Sequence, residues 1–201
     1  GRDILGSAQT GTGKTASFTL PMIDILASGR AKARLPRSLI LAPTRELAAQ
    51  VADSFEKFSV NNKLSMALLI GGVSFGDQNA ALNKGVDVLI ATPGRLLDHF
   101  ERGKVLLNDV KILVIDEADR MLDMGFYDDI IKIAKKLPNR RQNLLFSATM
   151  PSKIRNLAKT LLYKPDQINI AISKPAEKIK QEAYLVYNSQ KLDLLLNIIN
   201  G

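Results

Sequence analysis

The chain of 201 residues is 46% hydrophobic and 24% charged, a balance typical of a soluble globular protein, and it can bury the core of one domain or a little more. It contains no cysteine, which excludes disulfides, thiolate catalysis and cysteine-based metal sites, and its single histidine argues against a zinc site or a Ser-His-Asp triad. The net charge of +8 favours a polyanionic partner, although many basic domains bind none, and the low aromatic content of 5% favours contacts with backbone phosphates over base stacking.

Membrane and secretion signals are missing from the sequence. No apolar run approaches the roughly 18 residues that span a bilayer. The first residues do not form a signal-peptide pattern. We therefore expect a soluble, cytoplasmic protein that has no membrane partner.

Short apolar runs alternate with helix-length segments, a pattern typical of a parallel sheet covered on both faces. The predicted strands are at 4–5, 38–42, 66–70, 86–90, 112–115, 143–146 and 167–172. The predicted helices are at 14–27, 45–58, 75–84, 94–102, 127–137 and 152–162. The pattern predicts an α/β fold, a doubly wound parallel sheet within a three-layer αβα sandwich. On the fourth helix, apolar neighbours around His99 predict a surface or half-buried histidine.

Residues 8–15, Ala-Gln-Thr-Gly-Thr-Gly-Lys-Thr, connect the first predicted strand to the first predicted helix. Gly11 and Gly13 allow the positive φ that turns backbone N–H groups toward phosphate oxygens, and the helix N-terminus adds its positive dipole end. Lys14 would then reach the β and γ phosphates of a nucleoside triphosphate, and Thr15 would ligate Mg²⁺. The alanine that opens the segment departs from the general pattern, which has glycine there. A glycine-rich turn with an incidental lysine is the alternative.

Polar segments also follow three later predicted strands, at the point where each strand ends. They are Pro43-Thr44-Arg45-Glu46-Leu47, Thr92-Pro93-Gly94-Arg95 and Ser147-Ala148-Thr149. Because the carboxyl ends of parallel strands meet at one edge of a sheet, we expect these segments beside the phosphate loop. Threonine hydroxyls and helix N-terminal N–H groups could hold phosphates there, and Arg45 and Arg95 could add charge. Each segment alone is more often a helix cap, but their joint occurrence favours a site.

An acidic quartet, Asp116-Glu117-Ala118-Asp119, follows the apolar run at 111–115. An acidic residue at the carboxyl end of a buried parallel strand faces the crevice where α/β sheets bind ligands, so Asp116 can hold Mg²⁺ directly or through water. Glu117 is next in line to orient or deprotonate an attacking water. A solvated loop or a helix cap would explain the quartet alone, but the upstream phosphate loop reverses that preference.

The C-terminal part of the chain departs from the strand and helix alternation. Residues 173–180 are typical of a charged linker, residues 181–187 predict a new strand, and residues 191–199 predict an apolar helix. Such a helix has little to pack against in a lone domain, so we expect one domain at 1–172 and the start of a truncated second domain at 181–201. The alternative is that this segment packs back as an eighth strand and final helix.

The segments quoted above, together with Gly71-Gly72, occur in the order and approximate spacing of the first domain of DEAD-box RNA helicases, which residues 1–172 resemble. Residues 120–126, Arg-Met-Leu-Asp-Met-Gly-Phe, and residues 142–147, Gln-Asn-Leu-Leu-Phe-Ser, are most similar to the bacterial subgroup named for RhlE. An alanine is the usual opening of the phosphate loop in this family. The resemblance implies a RecA-like P-loop fold and an ATP-dependent RNA helicase activity.

The resemblance also implies a role for each matching residue. ATP would be bound by Ala8, Gln9, Thr10, Gly11, Thr12, Gly13, Lys14 and Thr15. Mg²⁺ would be held by Thr15 and Asp116, and catalysis would involve Lys14, Asp116 and Glu117. The RNA backbone would be bound, without sequence readout, by Pro43, Thr44, Arg45, Glu46, Gly72, Thr92, Pro93, Gly94 and Arg95. Ser147 and Thr149 would hydrogen-bond toward Asp119 and couple the ATP state to strand separation.

Two family elements have no counterpart in this sequence, namely an adenine-recognising glutamine motif upstream of the phosphate loop and a second RecA-like domain with arginine fingers. We therefore expect the chain to hold half of each site and to be nearly inactive alone. Another P-loop ATPase, such as a DNA helicase, is an alternative that the Asp-Glu-Ala-Asp quartet argues against. A non-catalytic RNA-binding module is disfavoured by intact Lys14 and Glu117, and a structural interaction domain leaves the motifs unexplained.

Overall fold

The structure is a computed structural model that describes residues 1–9, 11–29, 35–170 and 182–200. Thr10, the predicted linker at 173–180 and the first residue of the predicted strand at 181–187 lie outside the described residues. The chain divides into two compact units, Gly1–Ala171 and Ile172–Gly201. The assignment of the second unit to a further domain stays a prediction.

Strands and helices alternate in the first unit, except that two helices follow the fifth strand. The strands are β1 (Ile4–Ser7), β2 (Ser38–Leu41), β3 (Met66–Leu69), β4 (Val88–Ala91), β5 (Ile112–Ile115), β6 (Gln142–Ser147) and β7 (Asp166–Asn169). The helices are α1 (Lys14–Ala27), α2 (Arg45–Phe58), α3 (Phe75–Lys84), α4 (Pro93–Glu101), α5 (Ala118–Asp123), α6 (Tyr127–Ala134) and α7 (Ser152–Leu161). The second unit contains a 3₁₀ turn, Asn188–Gln190, and the helix α8 (Lys191–Asn200).

The seven strands form one sheet in the order β3-β4-β2-β5-β6-β1-β7. Every pair of neighbouring strands runs parallel. Parallel neighbours require helical crossovers, and the helices that provide them cover both faces of the sheet. The predicted doubly wound α/β sandwich is therefore confirmed.

The continuous apolar runs of the central strands divide into two cores because successive side chains of a strand point to opposite faces. In β2, Leu39 and Leu41 belong to the core on one face, whereas Ile40 belongs to the core on the other. In β5, Leu113 and Val114 divide in the same way. Each of these five side chains is at most 1% exposed. The sheet is thus fixed from both faces, which gives a rigid platform for the loops at its edge.

Three predictions of local structure differ from what the structure shows. The helix α5 was missed, since six residues are too few to establish a helical period. Residues 182–187 form no strand, because an extended segment becomes a strand only when a neighbour pairs with its backbone. His99 is fully buried rather than half-buried, as described below. Among the described residues, no helix has the length and apolar character needed to cross a bilayer.

Candidate functional site

The predicted site segments lie along one edge of the sheet, where the strands end. The register pairs Leu41 of β2 with Ala91 of β4 and with Ile115 of β5, so these three strands end at the same level. Ser7 pairs with Ser147 in the same way. In the strand order, β3, β4 and β2 occupy one half of this edge, and β5, β6 and β1 occupy the other. The segments predicted to bind RNA follow the first three strands. Those predicted to bind ATP and Mg²⁺ follow β1 and β5, and the predicted coupling residues Ser147 and Thr149 lie at the end of β6.

The loop between β1 and α1 has the backbone that phosphate binding requires. Gly11 and Gly13 have φ values of 85° and 86°, in the left-handed region that favours glycine. A Cβ built on either residue would meet no other atom within 4 Å, so there is open space beside both glycines. The backbone N–H of Ala8 donates to the Ser147 carbonyl at 3.1 Å and ties the loop to β6. The predicted positive φ at both glycines is confirmed.

Lys14 begins α1 and is only 9% exposed. Its Nζ is buried and has no hydrogen-bond partner among the residues that the structure describes. A buried ammonium without an acceptor is costly, because it loses water and gains nothing in return. A phosphate held by the loop would supply the missing acceptor, so the structure favours the predicted role of Lys14 over an incidental lysine.

Asp116 and Glu117 lie at the end of β5, on the same half of the edge. Burial raises the pKa of the Asp116 carboxyl, the Lys14 ammonium lowers it, and the Glu117 carboxylate raises it again. Glu117 has a φ of 51° and a ψ of 50°, a left-handed conformation that is uncommon outside glycine. Its backbone N–H donates to Asp116 Oδ1 at 2.9 Å, and its Oε2 lies 3.7 Å from Arg120 Nη1. The turn therefore presents both carboxylates beside the phosphate loop.

The residues present fit Mg²⁺ bound together with a phosphate ligand. Among the described residues, no group of three or more histidine, cysteine or acidic side chains could hold a metal by itself. Mg²⁺ characteristically binds one or two protein ligands and completes its shell with phosphates and waters. Thr15 and the buried, desolvated carboxylate of Asp116 meet that requirement. Positive charge nearby would also favour the ionised form of Asp116.

A cavity of about 310 Å³ lies against these groups and extends along α2. Its lining joins Gly11, Gly13, Lys14, Thr15, Ala16, Asp116 and Glu117 to Leu47, Gln50, Val51, Ser54 and Phe58 of α2. The sequence did not identify the α2 residues as part of a site. Their spacing of three or four residues places them on one helix face, which would have been the available signal. Nothing in the sequence indicates that this face meets the phosphate loop.

The predicted coupling residues meet where α5 approaches the end of β6. Asp119 Oδ2 accepts hydrogen bonds from both the backbone N–H and the hydroxyl of Thr149, each at 2.9 Å. Ser147 does not reach Asp119, and its hydroxyl instead donates to the Thr149 carbonyl at 2.7 Å. Ser147 is fully buried at the end of β6, and its hydroxyl is used within the turn that follows the strand. The prediction that Ser147 bonds toward Asp119 is corrected accordingly.

On the other half of the edge, Arg45 extends across the loop after β3. A Cβ built on Gly72 would lie 2.1 Å from Arg45 Nη1, and Gly72 has a φ of 74°. Only glycine both adopts this conformation and leaves room for the guanidinium. Arg95 of α4 approaches the same loop, where its Nη2 donates to the Val73 carbonyl. Both arginines thus contact the loop at 71–73.

The remaining residues predicted to bind RNA form the N-terminal turns of α2 and α4. Thr44 accepts a hydrogen bond from the Leu47 backbone N–H at 3.3 Å and so acts as a helix cap. The pKa of the exposed Glu46 carboxyl is lowered by its own backbone N–H and then by the Thr44 hydroxyl. Pro43 and Pro93 are buried, Thr92 makes no side-chain cap, and Gly94 has open space around its Cα. The prolines therefore shape the turns, and contacts with a ligand are left to the backbone and to the neighbouring side chains.

Comparison with known proteins identifies a family. The sequence model of the family described as DEAD/DEAH box helicase matches residues 1–157. The protein named ATP-dependent RNA helicase CshA from Listeria monocytogenes is 43% identical over 201 residues, which cover all of this chain and 38% of that protein. ATP-dependent RNA helicase DeaD of Buchnera aphidicola is 44% identical, and the alignment covers 99% of this chain and 33% of that protein.

Solved structures are also similar over nearly the whole chain. A DEAD box protein from Methanococcus jannaschii superposes with a TM-score of 0.80 at 38% identity, covering 100% of this chain and 53% of that one. The yeast DEAD-box splicing factor Prp28 superposes with a TM-score of 0.82 at 33% identity, covering 99% of this chain and 48% of that one. The chain therefore spans well under two thirds of each of these relatives.

Proposed function

Since the chain belongs to the DEAD/DEAH box helicase family, we propose that it is the first motor domain of an ATP-dependent RNA helicase. The observation that carries this proposal is the buried, unpartnered ammonium of Lys14 beside Asp116 and Glu117. The Lys14 site lies at the same edge of the sheet as the surface that carries Arg45 and Arg95. An ATP site and an RNA site on one rigid sheet allow each ligand to affect the other.

In the nucleotide site, the backbone N–H groups of residues 8–15 bind the triphosphate and Lys14 neutralises its β and γ phosphates. Mg²⁺, held by Thr15 and Asp116, would supply further neutralisation of the phosphate charge when bound. Glu117 orients the attacking water and accepts its proton. The left-handed turn at Glu117 directs this carboxylate toward the cavity instead of continuing β5.

In the RNA site, Arg45 and Arg95 bind backbone phosphates beside the loop at 71–73. The N-terminal turns of α2 and α4 add N–H groups that suit the same phosphates. Contacts of this kind position RNA without reading its bases. The low aromatic content of the chain agrees with this mode of binding, because stacking platforms need aromatic side chains.

A second RecA-like domain completes both sites in the whole protein. In the described part of the chain, the cavity lining contains one cation, Lys14. Phosphoryl transfer commonly needs an additional arginine at the γ phosphate. The relatives are long enough to contain such a domain, since this chain covers 38% and 33% of two of them. The cytoplasm is the proposed location, and the absence of cysteine from the chain is compatible with it without singling it out.

The decisive experiment measures ATP hydrolysis by the whole protein with RNA, with DNA and without nucleic acid. We expect RNA to stimulate hydrolysis and DNA not to. Lys14→Ala should greatly weaken ATP-Mg²⁺ binding while the protein stays folded, because the buried Lys14 ammonium has no hydrogen bond in the folded chain that the change would remove. Stimulation by DNA would favour a DNA helicase, and RNA binding without hydrolysis would favour a non-catalytic module.

The RNA surface is tested separately. Arg45→Ala and Arg95→Ala should each weaken binding to RNAs of different sequence by a similar factor and reduce the salt slope by about one unit at most. Arg2, an exposed arginine just before the start of β1 and so at the opposite edge of the sheet, provides the control, and Arg2→Ala should leave RNA affinity unchanged. A loss confined to one RNA sequence would indicate base readout instead.

A further inference from the structure

A buried polar network connects α3, α4 and the loop after β3. Gln78 of α3 is 4% exposed, and its Oε1 accepts hydrogen bonds from two side chains of α4. These donors are His99 Nε2 at 2.8 Å and Arg95 Nε at 3.2 Å. On its other side, Gln78 Nε2 donates to the Ile70 carbonyl at 2.9 Å. One amide therefore contacts both the helix that carries Arg95 and the loop that precedes Gly72.

The chemistry of these partners fixes every donor and acceptor in the network. The Ile70 carbonyl accepts only, so the amide nitrogen of Gln78 must face it and Oε1 must face α4. Because Oε1 can only accept, His99 must carry its proton on Nε2. His99 is 0% exposed, and its Nδ1 is buried without a partner. Burial, followed by the positive charge of Arg95, lowers the pKa of His99 and favours this neutral form.

The same network holds Arg95 in one orientation. Its guanidinium carbon lies 3.8 Å from the centroid of the Phe75 ring, and its Nη2 donates to the Val73 carbonyl. The His99 ring also packs against the Phe75 ring, and the centroids of these two rings are 4.6 Å apart. Arginine has five N–H donors, and the bonds at Nε and Nη2 use two of them. The other three N–H donors remain for a phosphate. Because the Arg95 side chain is already ordered, binding a phosphate would cost it little further rotamer freedom.

We propose that Gln78 and His99 are positioning residues for RNA binding, which hold the Arg95 guanidinium and the loop at 71–73 in the geometry that a backbone phosphate requires. The inference rests on the proposed function in one respect, namely that this surface binds RNA. Neither Gln78 nor His99 needs to touch RNA, because both are buried. Their effect on RNA affinity must therefore pass through Arg95 and the loop.

The test compares variants that break the network with one that preserves it. In the whole protein, Gln78→Met removes both acceptor and donor at similar length, and His99→Phe removes the donor but keeps a ring against Phe75. We expect each to weaken RNA binding by about 3- to 10-fold, the value of a typical hydrogen bond. His99→Gln places an amide donor near the position of Nε2, so its RNA affinity should remain close to that of the wild type. ATP-Mg²⁺ affinity should be unchanged in all three.

A double-mutant cycle with Arg95→Ala separates positioning from general destabilisation. If His99 acts largely through Arg95, then His99→Phe should cause a smaller loss of RNA affinity in the Arg95→Ala background than in the wild type. Additive losses would overturn the inference. Leu96→Val, a buried change on the same helix outside the network, is the matched control. It should lower stability to a similar degree without weakening RNA binding, and a loss of RNA affinity in this variant would also overturn the inference.

A spectroscopic measurement tests the network independently of RNA. The imidazole nitrogen signals that disappear in His99→Gln belong to His99, and they should report the neutral Nε2–H tautomer. Gln78→Met should shift them. An Nδ1–H tautomer, or signals insensitive to Gln78→Met, would overturn the inference. If Arg95→Ala itself leaves RNA affinity unchanged, then the proposed RNA surface is wrong. If Arg95→Ala weakens RNA binding but His99→Phe does not, then the RNA surface stands and the positioning role of His99 is wrong.

Discussion

Two residues of the nucleotide site, Lys14 and Glu117, destabilise the folded chain, the first through its environment and the second through its backbone conformation. Lys14 has a buried ammonium without an acceptor, which costs on the order of 1–3 kcal/mol. Glu117 has a left-handed backbone at φ 51°, a strain of about 1–3 kcal/mol for a residue other than glycine. Such costs persist at functional sites, where they prepare groups for a ligand. Lys14 and Glu117 together therefore indicate a functional site at this edge of the sheet more strongly than the sequence motif around either residue does alone.

Glu117→Gln should separate nucleotide binding from chemistry. The amide keeps the size and hydrogen bonding of the side chain but cannot accept the proton of the attacking water. ATP binding by the whole protein should therefore persist while turnover falls by about 10²-fold or more. Equilibrium binding and single-turnover hydrolysis, measured on the same preparation, distinguish the two effects. Normal turnover would mean that another group positions the water.

Gly72→Ala should weaken RNA binding, whereas Gly71→Ala should not. At Gly72 the new methyl group would lie 2.1 Å from Arg45 Nη1 on a backbone with φ 74°, so the guanidinium must move and the loop is strained. At Gly71 the nearest atom, Arg45 Cδ, would be 4.0 Å away, an ordinary contact. RNA affinity in Gly72→Ala should fall at least as far as in Arg45→Ala. Equal RNA affinities for Gly71→Ala and Gly72→Ala would show that Arg45 does not act from this position.

At the level of elements, the sequence predicted the strands well because most of them are continuous apolar runs buried on both faces. The order of the strands was not predictable, since β2 pairs with β4 and β5 through side chains that are chemically alike. For the same reason, the division of the edge into two halves emerged only from the fold. The network around Gln78 also escaped prediction, because its partners are separated by 17 and 21 residues and share no motif.

Thr149→Val tests the contact between α5 and the turn after β6. Valine keeps the branched shape but lacks the hydroxyl, so Asp119 retains only the hydrogen bond from the backbone N–H. We expect ATP binding and RNA binding to remain and the amount of RNA unwound per ATP to fall. Thr149→Ser retains the hydroxyl and should behave like the wild type. An equal loss in both variants would attribute the effect to packing and not to the hydrogen bond.

The contact between α3 and α4 should make stability depend on pH through His99. Burial, then Arg95 and Arg102, lower the pKa of His99 below its ordinary value of 6.5, although Asp98 opposes them. Below pH 6.5 the unfolded chain therefore binds more protons at this residue than the folded chain does. Its contribution to stability is present above that pH and is lost as the pH falls toward the folded-state pKa. Denaturant unfolding at several pH values should show this loss in the wild type and not in His99→Gln.

At the scale of the whole molecule, the two candidate sites share one sheet but use different halves of its edge. This arrangement suits a motor in which a second body contacts both ligands, because closure of that body on one ligand changes its fit to the other. The sequence predicted the content of both sites from motifs. It could not define how the second unit relates to them, because the apolar helix α8 and the segment before it carry no motif that specifies a partner.

The 201-residue chain by itself should not act as a helicase. The cavity lining of its described part offers one cation, and Arg45 and Arg95 belong to the other half of the edge. An arginine finger at the γ phosphate is worth about 10³- to 10⁵-fold in rate, so hydrolysis without one should be negligible. We expect the purified chain to bind nucleotide weakly, to show no RNA-stimulated turnover and to separate no duplex. Adding a second RecA-like domain in trans should restore part of the activity, because its arginines can complete the nucleotide site and its motion can bend the bound strand. Robust ATP-dependent unwinding by the isolated chain would show that its own residues supply the missing charge.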